Sequence, residues 1–146
     1  MIMEPEERNR LLQKVGSLIL DSTENGWQEI VMDFAACHRL STYSVAADYP
    51  DGSVTDPDLP DELIDSLRGL REGMHRSPAG TWFSLRYAIT SENQFHVDYE
   101  YDDKPDFGFE IAFSNFLRDL EKFPRDEENI PGWLREKLLR AAAGEN

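Results

Sequence analysis

Apolar and polar residues alternate in four short segments of the chain, and this pattern limits the possible folds more than any other. These segments are residues 27–36, 40–49, 83–89 and 95–101. Successive side chains of a β-strand point to opposite faces, so a period of two predicts strands with one buried face each. The residues expected on the buried faces are Ile30, Met32, Phe34, Tyr43, Val45, Ala47, Tyr49, Phe83, Leu85, Tyr87, Ile89, Phe95, Val97, Tyr99 and Tyr101. Short polar links predict two antiparallel hairpins and leave open whether they join into one sheet.

Helices are predicted in the segments around these hairpins, where apolar residues recur at the spacing of one helical face. They cover residues 4–22, a stretch from Pro60 to before Pro78, residues 109–123 and a short stretch after Pro131. The order α-ββ-α-ββ-α-α is typical of an α+β fold, here a largely antiparallel four-stranded sheet covered by helices. With no internal linker, the chain is expected to form one domain over residues 1–146.

The cysteine content and the hydropathy pattern predict a cytoplasmic protein. Cys37 is the single cysteine, so no disulfide scaffold is possible, which is typical of a reducing compartment. The longest apolar runs, such as residues 18–20, are far shorter than the roughly 20 residues that cross a bilayer. The N-terminus is acidic where a signal peptide would be basic. Membrane insertion and secretion by a signal peptide are therefore not expected.

Negative charge is concentrated in two segments of the chain. Residues 48–65 contain seven acidic residues and no lysine or arginine, and residues 92–110 contain seven acidic residues and one lysine. The chain has a net charge of −14, so these segments carry almost all of the excess. Such a chain repels nucleic acid and attracts basic partners.

The second acidic segment includes a strand whose outer face is acidic. His96, Asp98, Glu100 and Asp102 share one parity, and neighbours on that face lie about 6–7 Å apart. The carboxylates therefore repel one another, and Arg86 on the preceding strand is expected to neutralise one of them. Two interpretations stay open, a solvated sheet face and a docking surface for a basic partner.

Patterns for metal binding, cofactor binding or catalysis are weak. His38, His75 and His96 show no metal-ligand spacing, and the acidic stretch after Asp51 lacks the glycine and the terminal glutamate of a calcium loop. Cys37 and His38 are neighbours whose side chains would point to opposite faces of a strand. We therefore predict no catalytic, cofactor-binding or metal-binding residues, and a small hydrolase built on paired carboxylates stays a minor alternative.

Several segments share the layout of a known family. They are an N-terminal helix, residues 27–31, the strand that begins with Trp82 and Phe83, residues 97–102, and residues 121–126 with Trp133 downstream. In these features the chain resembles the YezG-like antitoxin family, which includes the EsaG-type immunity proteins. The resemblance implies a small cytosolic bacterial protein of a toxin–antitoxin (polymorphic toxin) system. Such a protein neutralises a cognate secreted toxin, a nuclease in the better-known cases, by stoichiometric binding without catalysis. Relatives paired with secretion systems of Gram-positive bacteria often differ from this chain at residues 105–108, so the class of toxin is not inferred from the resemblance.

The first hypothesis is an immunity protein that binds a basic toxin, such as a nuclease domain, through an acidic surface. The residues expected to contact the toxin are Asp98, Glu100, Asp102, Asp103, Asp106 and Phe107, helped by Asp56, Asp58 and Asp61. Phe107 is included as an aromatic anchor, because the motif of residues 107–109 is flanked by acidic residues, and packing in the core stays the other interpretation of this motif. The alternative is an acidic nucleic-acid mimic or adaptor that binds a basic host protein.

Overall fold

A computed structural model describes residues 3–146 of the chain, and within them the fold is α+β with four α-helices and five strands. The elements are α1 (Pro5–Asp21), β1 (Glu29–Cys37), β2 (Leu40–Asp48), β3 (Val54–Thr55), α2 (Asp61–Gly73), β4 (Ser84–Thr90), β5 (Phe95–Glu100), α3 (Phe113–Lys122), a short 3₁₀ helix (Glu127–Asn129) and α4 (Gly132–Ala142). None of the helices described is long and apolar enough to cross a membrane.

The two predicted hairpins form one antiparallel sheet with the strand order β3-β2-β1-β4-β5. The hairpins join through β1 and β4, where Phe34 lies opposite Leu85. The fifth strand was not predicted, because its two residues are too few to show a period. It forms where the Tyr49 N–H donates to the Ser53 carbonyl (2.9 Å), and Asp51 accepts a hydrogen bond from the Ser53 N–H (2.8 Å). The tight turn folds Val54 and Thr55 back onto β2.

The larger core lies between one face of the sheet and the helices α1 and α2. The predicted buried face of β1 is confirmed, since Ile30, Met32 and Phe34 have almost no exposed surface. The apolar residues of α2 at helical spacing are equally buried, and Leu63, Leu67 and Leu70 belong to the same cluster. The removal of these apolar side chains from water is the main contribution that stabilises the packing of α1 and α2 on the sheet.

A second, smaller core lies on the opposite face of the sheet at one end, under α3 and α4. It contains Ala35, Cys37, Phe83, Phe107, Phe116 and Leu134. Phe83 was expected to share a face with Leu85, but it packs on the other face. The strand β4 begins only at Ser84, and the Phe83 N–H donates to the carbonyl of Glu100, which is the residue that pairs with Ser84. Phe83 and Ser84 thus both lie opposite Glu100, as in a β-bulge. The extra residue interrupts the alternation of side chains, so the Phe83 ring packs on the other face of the sheet.

The third helix is shorter than predicted, since α3 begins at Phe113 and not at residue 109. Gly108 has a positive φ of 84°, and Ala112 before the helix is extended, with ψ of 139°. The extended segment between them leaves Phe109 largely exposed. The predicted helix included this segment because its apolar residues match the helical spacing, although the backbone there is extended.

Candidate partner-binding surface

The face of the sheet opposite α1 and α2 is open wherever α3 and α4 do not cover it. A groove of about 800 Å³ lies on this face, between the strands and the segment 103–108. We call it the acidic groove, because five carboxylates and only two cationic side chains line it. The carboxylates are those of Asp33, Asp98, Glu100, Asp103 and Asp106, and the cations are Arg86 and Lys104.

Arg86 pairs with Asp33 and does not form an ion pair with β5, which corrects the expectation from the sequence. Its Nε lies 2.8 Å from Asp33 Oδ1, and its Nη2 lies 3.1 Å from Asp33 Oδ2. On β4, Arg86 lies opposite both Asp33 on β1 and Asp98 on β5. Its planar guanidinium donates two hydrogen bonds to the single carboxylate of Asp33, which is a bidentate pair. The hydrogen bonds and charge of Asp33 raise the pKa of Arg86, and Asp98 contributes less. Asp33 was missed because the pairing of β1 with β4 is not visible in the sequence.

Three carboxylates of the groove lie close together at the end of β5 and in the segment that follows it. Asp98, Glu100 and Asp103, which we call the acidic row, are exposed and form no ion pair within residues 3–146. Repulsion from the charge of Asp103 is the largest cause that raises the pKa of Glu100, and Asp102 and Asp98 add to it. The row therefore carries electrostatic repulsion that a bound cation would relieve.

Asp102 does not belong to the row, although the sequence placed it on the same strand face. The strand β5 ends at Glu100, and the Asp102 carboxylate pairs with Arg125, with Oδ1 and Nη1 3.1 Å apart. The carbonyl of Asp102 also accepts a hydrogen bond from Trp133 Nε1 (2.7 Å). The side chain of Arg125 is buried and also donates to the carbonyls of Tyr101, Thr81 and Asn129. Asp102 thus helps to hold the end of β5 against the connection from α3 to α4.

The segment after the row shapes one wall of the groove. Asp106 Oδ1 accepts a hydrogen bond from the Gly108 N–H (2.8 Å), which closes a tight turn. This turn directs Phe107 into the smaller core, where only 8% of its surface is exposed. The structure therefore does not present Phe107 as an exposed anchor. The exposed aromatic side chain of this segment is Phe109, at 60%.

The other acidic segment lies at the opposite edge of the sheet. Asp56 and Asp58 are exposed residues that follow β3, and Asp61 is in the first turn of α2. Between them Leu59 is buried in the larger core, and its N–H donates to the hydroxyl of Tyr43 (3.1 Å). Since β3 and β5 are the two edges, about 19 Å of sheet separates them at the usual strand spacing. The structure does not bring the two acidic sets into one surface.

The remaining candidates for chemistry are separated or buried. Within residues 3–146 no group of three or more His, Cys, Asp or Glu side chains is arranged to hold a metal ion. Cys37 is fully buried, and this burial, followed by the charge of Asp119, raises the pKa of its thiol far above the usual range. The thiol is thus protonated at neutral pH and is a poor nucleophile.

No protein-family model matches the chain, and no curated protein matches its sequence. The resemblance to the YezG-like antitoxins therefore rests on the segments quoted from the sequence.

Proposed function

We propose that this protein is a cytoplasmic immunity protein that binds and neutralises a basic toxin domain, such as a nuclease, through the acidic groove. The observation that carries the proposal is the acidic row of Asp98, Glu100 and Asp103. These three carboxylates are exposed, two on β5 and one in the segment that follows it, and within the described residues none of them forms an ion pair.

The electrostatics of the row support a basic partner. A nuclease domain needs positive charge to hold phosphates, and an inhibitor that presents carboxylates can cover the same surface. The raised pKa of Glu100 reflects repulsion that lysine or arginine side chains would relieve. Complementary charge also speeds association, toward about 10⁸–10⁹ M⁻¹s⁻¹ at low salt. Rapid capture is what a cell needs if it is to survive its own toxin.

The arrangement of the groove suits binding better than catalysis. Repulsion within the acidic row is relieved when a positively charged group binds, and this requires no chemical step. The buried side chain of Arg125 binds Asp102 and neighbouring carbonyls and holds the end of β5, next to the segment that forms the groove wall. A surface organised before binding loses less entropy on association. Neutralisation would then follow from occupying the active surface of the toxin.

The proposal is tested by titrating the protein with the toxin domain encoded beside its gene. Asp98→Lys combined with Glu100→Lys reverses two charges of the row, and Asp56→Lys combined with Asp58→Lys makes the same change of net charge at the other edge. We expect the first variant to slow association by about tenfold or more at low salt and to weaken its salt dependence. The control variant should remain close to the unmodified protein.

Three outcomes would contradict the proposal. Equal effects of both variants would show that net charge, and not the groove, drives association. Absence of a toxin-domain gene from the neighbourhood, or of binding to its product, would exclude the immunity function. Weak binding of similar strength to many basic proteins would favour the mimic or adaptor.

A further inference from the structure

The strand β5 forms one edge of the sheet. Within residues 3–146 it pairs with β4 alone. An edge strand presents unpaired N–H and C=O groups in a row, which is a template for a strand from another chain.

The hydrogen bonds of the hairpin show which backbone groups face outward. The Thr90 N–H donates to the Gln94 carbonyl (2.8 Å), so Gln94 belongs to a bonded pair. Bonded and non-bonded pairs alternate along an antiparallel ladder, so the even-numbered residues of β5 point their backbone groups toward β4. The bond from the Phe83 N–H to the Glu100 carbonyl (2.9 Å) fits this assignment. The N–H and C=O groups of Phe95, Val97 and Tyr99 therefore point away from the sheet.

The part of β5 with unbonded outward N–H and C=O groups ends at Tyr99. The next outward carbonyl in this series, that of Tyr101, already accepts a hydrogen bond from Arg125. The residues available to a new strand are thus 95–99. Three outward-facing residues match one short strand, since strands of about five residues are the commonest length.

The side chains along this edge alternate in chemistry. On the open face His96 is followed by Asp98 and Glu100, while on the core face Phe95 is 39% exposed and Val97 is half-buried. A strand added beside β5 would place alternate side chains next to these two faces. One set would meet carboxylates, and the other would meet apolar side chains.

We propose that β5 binds its partner by β-strand addition, and that the added segment alternates lysine or arginine with apolar residues. The inference rests on the proposed function and specifies how the toxin would be held. Main-chain hydrogen bonds supply affinity in this mode, and alternate side chains supply specificity. The basic side chains of the added strand would lie over Asp98 and Glu100 and extend toward Asp103 in the acidic groove.

Charge also explains why a basic segment and not a second copy of this chain is the occupant. A second β5 at this edge would place carboxylates beside carboxylates, and like charges on neighbouring strands are destabilising. The repulsion that already raises the pKa of Glu100 would increase. The opposite edge is a poor template, because β3 has only two residues.

The test uses Val97→Pro, which removes one outward N–H and keeps the bonds to β4 and all charges. Proline is tolerated at an edge position whose N–H faces solvent. The matched control is Val54→Pro on the other edge. The bond from the Tyr49 N–H to the Ser53 carbonyl makes their pair a bonded one, so the N–H of Val54 also faces outward. The probes are a capped eight-residue peptide that alternates lysine and valine and an isomer with four lysines followed by four valines.

We expect the alternating peptide to bind more tightly than its isomer and to slow hydrogen exchange of the Val97 and Tyr99 amides. Val97→Pro should weaken binding of the alternating peptide by about tenfold, as expected for the loss of one interface hydrogen bond and its alignment. Val54→Pro should leave binding unchanged. The exchange measurement uses the unmodified protein, so it decides the question even if Val97→Pro does not fold.

Unchanged exchange at Val97 and Tyr99, or equal binding of both peptides, would overturn strand addition. A third outcome is possible with the toxin domain itself. If the double variant Asp98→Lys with Glu100→Lys binds the toxin more weakly, but toxin binding to the unmodified protein does not slow exchange of these amides, the toxin uses the groove without adding a strand. If the charge reversals also have no effect on the toxin, the proposed function fails together with this inference.

Discussion

Arg71 on α2 and Asp119 on α3 form a buried bidentate ion pair between the two layers that cover opposite faces of the sheet. Both N···O distances are 2.7 Å, and each side chain is only 4% exposed. Arg71 Nε donates to the Trp82 carbonyl (2.6 Å), and Asp119 Oδ1 accepts from the His38 N–H (2.6 Å). The pair thus connects α2 to α3 around the end of the sheet, beside the turn between β1 and β2.

Breaking this pair should be costly, because either partner alone would be a buried charge. We expect Arg71→Met or Asp119→Leu to lower the free energy of unfolding by about 3–5 kcal/mol, and the double variant to lose much less than the sum. Urea denaturation of the four proteins measures this coupling. A loss below about 1 kcal/mol in either single variant, or additive losses, would show that the pair does not hold the layers together.

The close approach of Gly16 to Tyr87 predicts a second coupling. A Cβ at Gly16 would lie 2.5 Å from Tyr87 Oη, and that buried hydroxyl donates to the Leu12 carbonyl (2.7 Å). The steric cost of Gly16→Ala should be about 1–3 kcal/mol, and the higher helix propensity of alanine should offset about 1 kcal/mol of it. In a Tyr87→Phe background the next ring atom is 3.4 Å away, and the same substitution should cost clearly less. Equal costs in both backgrounds, measured by thermal unfolding, would rule out the steric explanation.

The raised pKa of Glu100 predicts a stability change with a defined sign. A carboxyl whose pKa rises on folding stabilises the folded state while it is protonated, and this contribution is lost as the pH rises through the folded-state pKa. Glu100→Gln should therefore increase stability at pH 7, by only a few tenths of a kcal/mol because the site is exposed. The gain should shrink in high salt and vanish below about pH 3, where both side chains are neutral.

Urea denaturation at both pH values checks this prediction. Asp33→Asn is the control, since it removes a carboxylate that is paired with Arg86 and should not stabilise the protein. A Glu100→Gln variant that is less stable at neutral pH would show that the row is not under repulsion.

The burial of Cys37 predicts that its thiol reacts only when the protein opens. An aromatic disulfide reagent at pH 8 should label no thiol in the native protein and one thiol in urea, because the pKa of Cys37 is raised by burial and by Asp119. Ser44→Cys on the exposed face of β2 should add one thiol that reacts immediately under native conditions. Native labelling of Cys37 as fast as that of the added thiol would contradict the buried position.

The placement of helices and strands was largely predictable, because it depends on local periods. The alternation through Ile30, Met32 and Phe34 and the helical spacing of Leu63, Leu67 and Leu70 both identify the side that is buried. These periods follow from the backbone geometry of a strand and of a helix. They can be recognised in one segment without knowledge of its neighbours in the fold. The same logic failed at Phe83 and Phe109, where a bulge and a turn interrupt the local period.

Local sequence patterns are enough to predict the α+β class, the two hairpins, the buried faces of most elements and the concentration of charge in two segments. The three-dimensional fold was needed to show that Arg86 pairs with Asp33, that Phe107 is buried and that the two acidic segments occupy opposite edges of the sheet. Side-chain periodicity is a property of one segment, but strand order depends on which distant segments pair. Contacts that join residues 53 positions apart, as between Asp33 and Arg86, leave no periodic pattern along the chain.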